Sequence, residues 1–126
     1  MSGRRTVLVV EDDQSLRRMY RTVLGLEGFF VVEAEDGLQA LHYIEQHPPD
    51  LVILDLMLPT VGGLVVQQEI AAHAHTRSIP IVIVTGSDRD LGGVDVPCVL
   101  RKPVAPDTLA ATVRSCLAAG APGARV

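Results

Sequence analysis

Four apolar runs in this chain each lead into a residue able to do polar chemistry. VLVV is followed by Glu11-Asp12-Asp13, LVIL by Asp55, IVIV by Thr85-Gly86, and the run ending at Leu100 by Arg101-Lys102-Pro103, in which Lys102 is the only lysine of the chain. Gathered in one place, these would be three or four carboxylates, a hydroxyl and an ammonium. Carboxylates about 4 Å apart repel by roughly 4 kcal/mol per pair at an effective dielectric of about 20, so the cluster must hold protons or bind a cation. Hard oxygen ligands, with no Cys or well-spaced His among them, suit Mg²⁺, which keeps several waters and commonly bridges to a phosphoryl oxygen. Asp55 is then a candidate nucleophile that becomes an acyl phosphate. The metal, Lys102 and the Thr85 hydroxyl would supply the charge and donors that a transferring phosphoryl group needs.

Taken singly, each residue has a structural explanation: Asp12 or Asp13 as a helix N-cap, Asp55 and Thr85 as turn formers, Lys102 as a solvated side chain. The joint pattern argues for a site, because chance does not readily equip four strand ends with the groups one reaction needs.

Those groups converge only if the runs are parallel strands of one sheet. Five short β-branched stretches are expected as strands: Thr6 to Val10, Phe29 to Glu33, Leu51 to Leu54, Ile79 to Val84 and Val96 to Leu100. The first, third and fourth are continuously apolar, as in strands covered on both faces. Helices are expected over Gln14 to Leu26, behind an Asp36 cap with Leu38, Leu41 and Ile44, over Gly63 to Ala74, and over Pro106 to Ala119. Strand and helix alternate, so the spacing predicts an α/β, doubly wound five-stranded parallel sheet of order 2-1-3-4-5, flavodoxin-like. In such a sheet the ligand site lies outside the carboxyl ends of the strands. Between the fourth and fifth strands, GSDRDLGGVD holds one large aliphatic residue, Leu91, and a Gly92-Gly93 breaker. The helix due there, fourth in the alternation, is expected to be shortened or absent.

With 126 residues, the chain fits one domain, and 48% hydrophobic with 21% charged residues excludes general disorder. Residues 1–119 are expected as the folded unit and 120–126 as a flexible tail or linker stub. The absence of Trp removes stacking platforms for single-stranded nucleic acid, and a pI of 5.4 gives no electrostatic footprint for a duplex. No apolar run approaches the roughly 18 residues of a membrane span, so a cytoplasmic protein is expected. Cys98 and Cys116 match no zinc or CxxC spacing and are expected as reduced thiols. His42, His47, His73 and His75 are expected as surface residues, His73 and His75 facing different sides of a helix. Gly62 and Gly63 are expected to turn the chain into the third helix. No GxGxxG, GxSxG or Walker pattern occurs.

The segments VLVVEDD, LVILDLMLPTVGG, IPIVIVTG and LRKP, in that order and with Asp55 43 positions after Asp12 and Thr85 30 after Asp55, resemble a response-regulator receiver domain of the CheY-like type from Thr6 to about Leu117. The resemblance implies that Asp12 binds Mg²⁺ directly and Glu11 through water, that Asp55 is the phosphoacceptor, and that the Met57 backbone carbonyl completes the metal shell. It further implies that the Thr85 hydroxyl follows the phosphoryl group, that Lys102 forms the ion pair, and that a cis peptide precedes Pro103. Asp13 is expected as a helix cap. The implied donor is a sensor histidine kinase or phosphotransfer protein and the implied output a downstream protein target, with a homodimer as a further assembly and no direct contact with nucleic acid or membrane.

Two departures stand out. Val99 occupies the place, three before the lysine, where the family usually carries Tyr or Phe, and Lys102 follows Thr85 by only 17 positions. Signalling is therefore expected through another face or a remodelled loop. Two other functions share the same residues. An aspartate-nucleophile phosphohydrolase wants a second carboxylate two residues after the nucleophile, where Met57 stands. A phosphorylation-independent interaction module would keep the site without using it. As a phosphoacceptor, the chain would catalyse only its own phosphorylation and dephosphorylation and would not be an enzyme for free substrates.

Overall fold

A computed structural model describes residues 3–59, 61–86 and 98–119. Five strands, β1 (Thr6–Val10), β2 (Phe30–Ala34), β3 (Leu51–Asp55), β4 (Ile81–Thr85) and β5 (Cys98–Arg101), pair in parallel in the order β2-β1-β3-β4-β5. Among the described residues, four helices are interspersed: α1 (Gln14–Leu26), α2 (Gly37–Gln46), α3 (Gly63–Ala72) and α4 (Pro106–Ala119). The predicted doubly wound sheet and strand order are those observed. The stretch in which a shortened or absent fourth helix is expected, 87–97, and the expected tail, 120–126, lie outside the described residues.

Alternate residues of each strand serve opposite layers, the period of two that a pleated strand imposes. On one face, Val7, Val9, Leu51, Ile53, Val82 and Val84 pack with Tyr20 and Leu24 of α1 and Leu109 and Val113 of α4. On the other, Leu8, Val10, Val52, Leu54, Ile81 and Ile83 pack with Ala40 and Ile44 of α2 and Val66 and Ile70 of α3. Burying both faces of the sheet leaves its carboxyl edge as the place where polar groups can gather.

Local signals set the helix entries. The Asp13 carboxylate accepts from the Leu16 N–H at 3.1 Å and that of Asp36 from the Gln39 N–H at 2.8 Å, each meeting an amide that the first turn leaves without an intrahelical partner. Gly28, at φ 95°, reverses the chain between α1 and β2 in a conformation that favours glycine. Gly62 caps α3, but Gly63 acts by close approach instead of turning: a Cβ there would lie 2.5 Å from Leu56 Cα and against the Asp55 carbonyl. The start of α3 is thus pressed onto the end of β3.

Three expectations are corrected. Cys98 and Cys116 are not free thiols but form a disulfide. α4 runs back along β5, bringing the two Cα atoms to 6.5 Å, within the span a disulfide bridges, although 18 positions separate them in sequence. Helix α3 stops at Ala72, two residues short, so His73 and His75 lie in the turns that follow. Their rings consequently stand 5.9 Å apart instead of on opposite sides of a helix, while both remain exposed as expected. β4 begins at Ile81 because Pro80 supplies no amide N–H to the ladder, although its carbonyl accepts from Val52 N–H at 3.0 Å.

Candidate functional site

The strand ends converge through main-chain bonds before any side chain is considered. Glu11 N–H donates to the Ala34 carbonyl at 3.1 Å, Leu56 N–H to Val84 at 3.1 Å, and Lys102 N–H to Thr85 at 2.9 Å. Each bond extends the sheet pairing by one residue, so Glu11 and Lys102, just beyond their strands, and Asp55, at the end of β3, are held in register with their neighbours.

Glu11, Asp12 and Asp55 each bring a carboxylate oxygen within 4.8 Å of the others. Glu11 and Asp55 are buried, 1% exposed, whereas Asp12 is exposed and opens the cluster to solvent. Lys102 Nζ lies 3.0 Å from Asp55 Oδ2 and 3.5 Å from Glu11 Oε1. Asp55 Oδ1 accepts from the Met57 N–H at 2.9 Å, and Glu11 Oε2 accepts from Asp13 N–H at 3.2 Å. Thr85 is fully buried at the end of β4, beside β3. The Lys102–Pro103 peptide is cis. The residues expected at the site are therefore brought to one edge. Asp13 faces away from that task as the α1 cap, and the Met57 side chain is exposed.

Charge is concentrated here beyond what burial tolerates without compensation. Burial, and then the neighbouring Asp55 carboxylate, push the Glu11 carboxyl up to about 8, against a smaller lowering by the Asp13 amide and Lys102. For Lys102, burial pulls downward but the adjacent Asp55 and then Glu11 outweigh it, holding the ammonium charged above its ordinary range. Without a metal, a proton and one lysine serve three carboxylates.

The donor set fits a hard divalent cation. Six oxygens around Mg²⁺ at about 2.0–2.1 Å lie roughly 3 to 4 Å from one another, so carboxylate oxygens already within 4.8 Å close on an ion with small side-chain adjustments. Glu11 Oε1, buried and without a hydrogen-bond partner, has an acceptor lone pair to spend on such an ion or on its water.

Sequence reading missed Arg17. Its guanidinium donates to the Glu11 carbonyl at 2.8 Å and the Asp12 carbonyl at 3.2 Å, and its Nε reaches Glu33 Oε1 at 3.2 Å. One arginine on the first turns of α1 thus clasps the main chain of the acidic loop. Nothing in its position separates it from the neighbouring Arg18 without knowing which helix face looks up at the loop.

Val99, the departure on β5, is half-buried against the α2–α3 side of the core. Among the described residues, no helix is long and apolar enough to cross a membrane.

Comparison with known proteins agrees with this fold. The chain is 40% identical over 118 residues to a probable transcriptional regulator, ycf27, of Guillardia theta, an alignment covering 88% of this chain and 44% of that protein. A putative response regulator from Chloroflexus aurantiacus superposes with a TM-score of 0.86 at 30% identity, covering 91% of this chain and 98% of that one. The chemotaxis response regulator CheY4 of Vibrio cholerae superposes with a TM-score of 0.83 at 26% identity, covering 90% and 98%. The chain spans about half the length of the curated relatives it matches. Residues 7–114 match the response regulator receiver domain family, and with the acidic strand-end site on the same frame, this chain belongs to that family.

Proposed function

We propose that this chain is the phosphoacceptor of a two-component phosphorelay, in which Asp55 takes a phosphoryl group and the altered surface changes its preference among protein partners. The observation that carries the reading is the buried Asp55 carboxylate held 3.0 Å from the Lys102 ammonium, within one cluster with Glu11 and Asp12. An unmodified carboxylate so placed is desolvated, oriented and next to the charge needed by an incoming phosphate.

Glu11, Asp12 and Asp55, with the backbone carbonyl of Met57, would hold Mg²⁺, which when bound supplies positive charge opposite the phosphoryl oxygens. An Asp55 oxygen forms the bond to phosphorus while the phosphorus–nitrogen bond of a donor phosphohistidine breaks. The electron pair leaves with the imidazole, which takes up a proton. Lys102, already paired to Asp55, stays with the added negative charge, and the Thr85 hydroxyl donates to a phosphoryl oxygen. Water later attacks phosphorus, the bond from phosphorus to the Asp55 oxygen breaks, and inorganic phosphate leaves with the carboxylate restored, so the domain acts on itself and not on free substrates.

The donor on this reading is a sensor histidine kinase or phosphotransfer protein in the cytoplasm, and the receiver unit is residues 1–119. The output is contact with a downstream protein, a second copy being one candidate, with no part for nucleic acid or membrane within this domain. Because β5 carries Val99 instead of an aromatic residue, we further propose that the signal leaves by a face or loop other than the usual one.

The deciding experiment is incubation with a small acyl phosphate and Mg²⁺ followed by intact mass. One added phosphoryl group, absent in Asp55→Asn, is expected. No adduct and no response to beryllofluoride would favour a phosphorylation-independent module, and turnover of unrelated phosphate esters would favour a phosphohydrolase.

A further inference from the structure

The early end of α3 at Ala72 gathers two imidazoles and two carboxylates where α2 and α3 run out, at the amino edge of the sheet and away from the acid cluster. Glu69, His73 and His75 line one hollow together with Glu45 of α2, against the buried Ile44 and Ile70. Its volume of about 120 Å³ has room for an ion and a water or two, at about 30 Å³ per water.

The main chain that carries the two histidines is fixed from within. The buried Thr76 hydroxyl donates to the Ile70 carbonyl at 2.8 Å, and the amides of Thr76 and Arg77 donate to the His73 carbonyl at 3.1 and 2.8 Å. Carbonyls left over by the last turn of α3 are thereby met, and His73-Ala74-His75 is held in one place. His73 Nε2 lies 3.3 Å from Glu69 Oε1, and the His73 and His75 ring centroids are 5.9 Å apart. The first distance is longer than the roughly 2.7–3.2 Å of an ordinary N–H···O bond. It matches a tetrahedral site, in which ligands about 2.0–2.1 Å from the ion stand about 3.3 Å from each other and two imidazole centres about 5 Å apart. Glu69 and His73 are thus already at ligand spacing, and His75 joins them by rotation of an exposed side chain.

We propose that Glu69, His73 and His75 form a metal site separate from the acid cluster, with Glu45 supplying the fourth ligand from α2, for a divalent ion of the zinc class. Imidazole suits zinc, copper and nickel, whereas magnesium takes oxygen ligands in octahedral geometry and is poorly served here. The two edges of the sheet would therefore sort ions by hardness. An ion at this edge also ties the end of α3 to α2 through Glu45, so its binding adds to the stability of the fold. Nothing in the proposal depends on phosphoryl transfer at Asp55.

The probe is Zn²⁺, titrated calorimetrically into the disulfide-bonded protein with millimolar Mg²⁺ present to compete at the acid cluster. One equivalent is expected to bind in the micromolar range and to raise the melting temperature. By NMR it should move the ring protons of His73 and His75 while leaving those of His42 and His47, which lie outside the hollow, in place. His75→Ala and Glu69→Gln change exposed side chains and should fold normally, yet each should weaken zinc binding by about tenfold or more. His42→Ala, equally exposed, should leave the affinity unchanged. The proposal is overturned by no uptake of millimolar zinc, by uptake that neither His75→Ala nor Glu69→Gln weakens, or by equal movement of all four histidines, the mark of scattered surface binding. Uptake abolished by Asp12→Asn would put the ion in the acid cluster and overturn it as well.

Discussion

Lys102 and Asp55, 47 positions apart in sequence, meet as an ion pair of 3.0 Å in which the aspartate is buried and the lysine is 30% exposed. Removing one partner of such a pair leaves the other desolvated and unpaired, a larger loss than the net value of the pair. Lys102→Ala is expected to lower the unfolding free energy by about 2 kcal/mol in urea titrations without metal. Phosphoryl acceptance from an acyl phosphate should slow by about 10²-fold, the scale on which one preorganised charge-stabilising group acts. Added Mg²⁺ should recover stability without recovering the rate.

Stability should depend on pH through Glu11. Its carboxyl is raised from 4.5 to about 8 in the folded protein, so between those values the native state holds a proton that the unfolded chain has released. Bound protons favour folding below the unfolded value, and the contribution is lost as pH climbs through about 8. The metal-free melting temperature is expected to decline over that window, and Glu11→Gln should flatten the decline. Magnesium uptake at neutral pH should expel a proton, visible as a calorimetric heat that changes with the ionisation enthalpy of the buffer.

Gly63→Ala tests how closely α3 is fitted to the site. Its new Cβ would run into main-chain atoms of Asp55 and Leu56, which cannot swing aside as a side chain can. A destabilisation of about 2–3 kcal/mol is expected, and because β3 ends there, magnesium affinity should fall with it. Gly37→Ala is the control: its Cβ meets the Val61 carbonyl and, at 2.9 Å, Val66 Cγ2. It should cost stability while leaving metal affinity closer to wild type.

The Cys98–Cys116 link closes a loop of 18 positions between β5 and α4. Chain-entropy reasoning assigns such a closure about 3 kcal/mol. Unfolding with and without reductant should differ by that amount, and Cys98→Ser/Cys116→Ser should be insensitive to reductant. Intact mass under non-reducing conditions should read two hydrogens fewer than the dithiol.

Much of this architecture could be read from residue order. Continuous Val, Leu and Ile runs mark strands covered on both sides, Asp13 and Asp36 mark helix starts, and once the strands are parallel Glu11, Asp55, Thr85 and Lys102 have one edge to share. What escaped reading depends on directions in space. Arg17 and Arg18 are equivalent in sequence until α1 is rotated onto the sheet. The cysteines look unrelated because the pairing arises from a helix doubling back on a strand. The separation of His73 from His75 was misjudged because Ala72, with good helix propensity, gives no warning that α3 ends there.

Arg17 grips carbonyl oxygens, not carboxylates, of the loop that bears the acids. Its hold is indifferent to the side chains mounted there: an amide substituted for Glu11 or Asp12 would leave the same peptide groups in the same grasp. The scaffold of the loop and the chemistry displayed at Asp12 are consequently separable, whereas Glu11 also braces the bend by accepting from the Asp13 amide.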